Sequence, residues 1–152
     1  MKNEKGFTLI GVMIALALLG VIAVAFLGAL ATASHAIIVA DEHATAESIA
    51  RSQMEYVKNQ PYIPATDYDP DVPGSGQVTY EILTVLTDIP DGYVICSIDR
   101  NGYTVPNAVF GVPWDSQNNQ PADTDSGIQR ISLIIMHYDK EIMTLENYKV
   151  NR

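Results

Sequence analysis

The chain has 152 residues, a formal net charge of −9 and one cysteine, Cys96. One cysteine excludes an intrachain disulfide, and the acid excess repels phosphate backbones, so no nucleic-acid partner is expected. The length leaves room for one domain of about 90–100 residues behind a long N-terminal segment.

Residues 7–40 contain no Asp, Glu, Lys or Arg. A helix over residues 7–30 would be ~36 Å long and would cross the ~30 Å hydrocarbon core of a bilayer. Ahead of it, residues 1–6 hold Lys2, Glu4 and Lys5, a net charge of +1. Cations beside a span favour the cytoplasmic side, which predicts a single pass with the N-terminus inside and the remainder exported. An ordinary secretory signal is the rival reading, with Ala31-Thr32-Ala33 as its small-residue cleavage site. Such signals have apolar cores of only ~7–15 residues, and this run is longer.

The run opens Gly6-Phe7-Thr8-Leu9-Ile10-Gly11 and continues Val12-Met13-Ile14-Ala15-Leu16-Ala17-Leu18-Leu19-Gly20. These residues resemble the N-terminal segment of type IV pilins and type II secretion pseudopilins. The resemblance implies cleavage between Gly6 and Phe7 by a membrane aspartic protease, the prepilin peptidase, and methylation of the new Phe7 amine. It also implies that subunits leave the bilayer and pack their helices into a filament with other pilin or pseudopilin subunits, aided by an assembly-platform membrane protein.

One position departs from that pattern. Most of the family carry Glu as the fifth mature residue, and here it is Gly11. The family's Glu meets a neighbour's cationic amine, and a buried charge without its partner can cost ~3–5 kcal/mol. Gly11 fits a minor subunit placed where that amine need not be met, such as a filament tip. Alternatively a backbone carbonyl or Thr8 satisfies the amine. Gly20 and Gly28 each cost about 1 kcal/mol against Ala in a helix interior. They suit either local loosening during assembly, as the family implies, or close helix packing through small residues.

The helix is predicted to run over residues 7–59, amphipathic from Asp41 and ended by Pro61. Ala46, Ile49, Ala50, Met54 and Val57 form the inward stripe, and Glu47, Arg51 and Glu55 lie four apart on another face. Four segments follow from this reading: a leader over 1–6, a transmembrane and assembly helix over 7–30, its amphipathic continuation over 31–59, and an exported β domain over 60–152.

Residues 60–76 hold Pro61, Pro64, Pro70, Pro73, Gly74 and Gly76 and read as a loop. Strands are predicted over 77–86, 92–99 and 103–112, the last interrupted by Pro106, with a turn at Asn101-Gly102. Residues 113–127 read as a polar loop around Trp114. Asp115, Asp123 and Asp125 in this loop are candidate ligands for calcium, which takes ~6–8 oxygens, although their spacing is not that of an EF-hand. A solvated acidic loop is the alternative. The closing hairpin is predicted over 128–138 and 141–150, turning near Asp139-Lys140, and is similar to the last hairpin of small minor pilins. Cys96 reads as a buried structural thiol.

His35 and His43 lie ~12 Å apart along the helix and cannot share a metal. No nucleophile motif or phosphate loop is present, so no enzyme and no obligatory cofactor is expected. The seven cations after the leader are scattered in sequence. The fold class expected is α+β, a long helix laid on a small antiparallel sheet. The function expected is a structural, minor subunit of a type IV pilus-like filament, first in the inner membrane and then in a periplasmic or surface filament. A pseudopilin of a type II secretion or DNA-uptake apparatus is the alternative within the class. A membrane-anchored or secreted binding or enzymatic domain is the alternative outside it.

Overall fold

The computed structural model of the chain describes residues 9–83 and 89–152. One helix, α1 (Leu9–Asn59), is followed by seven strands: β1 (Val78–Tyr80), β2 (Tyr93–Ile98), β3 (Thr104–Pro106), β4 (Val109–Asp115), β5 (Gln120–Pro121), β6 (Ile128–His137) and β7 (Lys140–Val150). This is the expected α+β, pilin-like arrangement of one long helix and an antiparallel, curled sheet. The chain forms two compact units, Met1–Asp41 and Glu42–Arg152.

The first unit is helix throughout its described residues, and no proline interrupts it. In the second unit the helix packs on the sheet. Ala46, Ile49, Ala50, Met54 and Val57, the stripe legible in the sequence, are all buried there with Ile95, Val109, Ile131, Leu133 and Ile135. Burying the Ile49, Met54 and Val57 side chains contributes roughly 1.5–3 kcal/mol each, which ties this part of the helix to the sheet.

Strand β6 organises the sheet. Its β7 side is paired from Ile128↔Val150 to His137↔Lys140, with a bulge between Ile135 and Met136. Its other side is shared by two strands in series: β4 pairs at Arg130 and Gln129, and β2 pairs from Leu133 to His137. Ser132 lies at the fork. There the buried Ser97 hydroxyl donates to Ser132 O at 2.9 Å and accepts the Phe110 N–H at 3.1 Å, so it joins the two branches. Such a buried bond has a net worth of about 1 kcal/mol, and the unsatisfied groups left by its loss would cost more.

Several expectations need correction. The predicted strand over 77–86 is ordered as a strand only at Val78–Tyr80, and its residues 84–86 lie outside the described ones. Side-chain amides replace a strand partner beyond Tyr80. Gln53 Nε2 and Gln60 Nε2 donate to Glu81 O, Gln60 Oε1 accepts the Glu81 N–H, and Gln53 Oε1 accepts the Leu83 N–H.

The predicted strand over 103–112 is two strands, because Asn107 turns the chain with φ 53°. The predicted loop over 113–127 is shorter than expected. Strand β4 continues through Trp114 to Asp115 and pairs with β5, because Trp114 is buried under the Arg130 guanidinium, 3.8 Å from its ring. The last hairpin turns at Tyr138-Asp139 rather than Asp139-Lys140, with Tyr138 at φ 52°.

Candidate assembly and membrane segment

From Leu9 to Ala40 the helix is apolar and almost wholly exposed in the single chain. Its most apolar 18-residue window has a mean hydropathy of 2.9 and none of it is buried. Leu9 is 79% exposed and Val24 is 73% exposed. Water does not tolerate a contiguous apolar surface of this extent, so lipid or other protein must cover it.

The two hydroxyl groups among the segment's described residues are already satisfied. Thr32 Oγ1 donates to Gly28 O at 3.1 Å, and Ser34 Oγ donates to Leu30 O at 3.0 Å. Such back-bonding to the i−4 carbonyl hides a hydroxyl from an apolar medium. Composition alone did not reveal it.

Gly11 lies in the first described turns of α1 and offers no carboxylate. Gly20 and Gly28 are helical, and a methyl group added at either would meet nothing within 4 Å. No close contact inside the chain requires those glycines. Gly6 and Phe7, the expected cleavage and methylation positions, lie outside the described residues.

In the second unit several polar devices fix the helix to the sheet. Glu42 Oε1 lies within hydrogen-bond distance of His137 Nδ1, at 3.2 Å, and the His137 ring stacks on Tyr93 with centroids 4.3 Å apart. At the helix end, the Lys149 ammonium from β7 donates to the carbonyls of Val57 at 2.5 Å, Lys58 at 3.2 Å and Gln60 at 2.6 Å. It thereby caps the negative end of the helix dipole. Burial pushes this ammonium below the usual lysine range. The exposed Glu47–Arg51 pair at 2.6 Å is the expected i, i+4 support, worth about 0.3–0.5 kcal/mol.

The three calcium candidates are placed apart and used differently. Asp115 holds its own turn, accepting from the N–H groups of Gln117 and Asn118 and from Asn118 Nδ2. Asp123 pairs with Arg100 at 2.7 Å. Asp125 accepts from Tyr62 Oη and from the Gly127 N–H at 2.9 Å through one oxygen, and from the Ala65 N–H at 2.8 Å and Gln129 Nε2 at 2.7 Å through the other. Burial works to raise the Asp125 pKa, but these four donors outweigh it and hold the carboxyl below its ordinary range. The Tyr62 phenol is pushed up by burial and by that carboxylate. Among the described residues no group of three or more His, Cys, Asp or Glu could hold a metal ion. Cys96 is buried, and burial raises its thiol pKa, so it is a poor nucleophile.

The geometry defines a class: a pilin-like α+β chain with one long N-terminal helix, apolar enough to cross a membrane, and a small β domain. Residues 1–27 match the prokaryotic N-terminal methylation motif, which is the prepilin-type signal of type IV pilins and pseudopilins. No curated protein and no solved structure matches the chain. The motif implies processing by prepilin peptidase and assembly with other pilin-type subunits.

Proposed function

We propose that the chain is a minor structural subunit of a type IV pilus-like filament. It is inserted in the cytoplasmic membrane with residues 1–6 inside and is cut after Gly6. Phe7 is then methylated, and an assembly-platform membrane protein transfers the subunit from lipid into the filament. The observation that carries this reading is the exposed apolar first part of the helix, which overlaps a methylation motif over residues 1–27. A bilayer and a bundle of similar helices are the two environments that cover such a surface.

Gly11 supports the minor role, because a subunit without a carboxylate there cannot neutralise a neighbour's amine inside an apolar core. Gly20 and Gly28 lower the cost of loosening the helix during transfer. This reading assigns the chain no cofactor and no catalytic residue.

Immunogold labelling of sheared surface fibres tests it. Sparse or tip labelling is expected, and Gly11→Glu should spread the label along the shaft. Absence from all fibres, or label unchanged by Gly11→Glu, would contradict the pilus assignment or the minor role respectively.

A further inference from the structure

Seven cationic side chains follow the leader, and the fold sorts them in a way their sequence positions do not show. Arg51, Arg100 and Arg130 pair with Glu47, Asp123 and Glu146. Of the other four, Lys58, Lys149 and Arg152 converge on one cavity of ≈ 550 Å³ at the end of α1 and the last residues of β7. Lys140 lies at the opposite end of β7. Among the described residues no Asp or Glu lines the cavity, although the chain as a whole carries −9.

The wall has a defined division of labour. Lys149 is 6% exposed and directs its ammonium at three helix-end carbonyls, so it contributes charge but no spare N–H. Its full charge outweighs the roughly half charge of the helix terminus. Tyr62 Oη is engaged by Asp125, and Asn147 Oδ1 accepts the Tyr148 N–H at 2.8 Å. Exposed Lys58 and Arg152 therefore remain as the cationic donors at the rim that have no ion-pair partner among the described residues.

We propose that this cavity is a docking site for carboxylate side chains of a neighbouring subunit. The proposal rests on the filament-subunit reading and names a contact for the exported domain that the apolar helix does not supply. The argument is charge complementarity. Subunits as acidic as this one repel one another, and a hollow with three cationic side chains and no Asp or Glu among its lining residues is where an acidic neighbour gains. The chain displays the matching chemistry elsewhere: Asp67 and Asp71 are exposed, and neither side chain has an ion-pair partner among the described residues. A free phosphate fits less well. Phosphate sites are built from clustered backbone N–H groups at helix N-termini, whereas this cavity lies at a helix C-terminus.

The test titrates a dye-labelled hexaglutamate peptide into the full chain in detergent micelles, read by fluorescence anisotropy. Saturable, salt-sensitive binding is expected. Lys58→Gln/Arg152→Gln should weaken it about tenfold, and Lys140→Gln should leave it unchanged. Both changes are at exposed positions and leave Lys149 in place. Salt-sensitive self-association lost in the same double variant would place the carboxylates on a second copy and support the proposal. No saturable binding, an equal loss with Lys140→Gln, or displacement by inorganic phosphate at equal charge concentration would overturn it. The mass of the mature N-terminus in the same preparation reports separately on the filament reading.

Discussion

Gln53 accepts the Leu83 N–H at 2.9 Å from within the core, 30 positions earlier in the chain. The same fully buried amide donates to Glu81 O at 3.2 Å, so a helix side chain substitutes for a strand partner. Gln53→Met keeps the volume and leaves both backbone groups without that partner. It should destabilise the second unit by about 1–3 kcal/mol. Urea unfolding of the full chain in micelles, followed by the near-ultraviolet signal of Trp114, measures this.

Gly111 is needed for space rather than for backbone freedom. A Cβ there would lie 2.5 Å from Gln129 Oε1 and 2.6 Å from the Tyr80 ring. It would intrude on the Tyr80 Oη to Gln129 Oε1 hydrogen bond at 2.7 Å. Gly111→Ala should cost about 1–3 kcal/mol by overpacking, and the melting temperature of the variant checks it. Gly20→Ala, where the added methyl meets nothing, should leave the melting temperature of the β unit unchanged.

Asp125 gives the fold a defined acid sensitivity. Its folded pKa lies below the ordinary value, so its contribution is complete above the unfolded pKa of about 3.9 and is lost as pH falls through the folded value. Stability should therefore drop below about pH 4. Asp125→Asn should cost about 1–3 kcal/mol at neutral pH through lost hydrogen bonds, and should flatten that acid limb. Unfolding curves of both proteins between neutral pH and acid pH compare the slopes.

The helix and its inward stripe were legible because apolar periodicity is a local property, and Ala46, Ile49, Ala50, Met54 and Val57 carried it despite Gln53 on the same face. The closing hairpin was legible for the same reason. Gln53, Gln129 and Ser97 were not, since a buried polar residue is specified by partners 28 to 66 positions away rather than by its neighbours. Trp114 was misread as part of a loop because Pro113 and the polar run after it mask a strand held by Arg130 and β5. In the candidate segment, Gly11, Gly20 and Gly28 lie within α1, where the motif and the predicted helix put them. The convergence of Lys58, Lys149 and Arg152 depends on a β7 strand returning to the helix end, which no local pattern encodes.

The central claim is that the apolar helix is delivered to an assembly by processing within the methylation motif, after Gly6. Mass spectrometry of the mature N-terminus, from cells that possess prepilin peptidase, tests it most directly. The account predicts a chain that begins at Phe7 and carries one N-methyl group. A chain that begins near Ser34, or one that retains Met1, would contradict it.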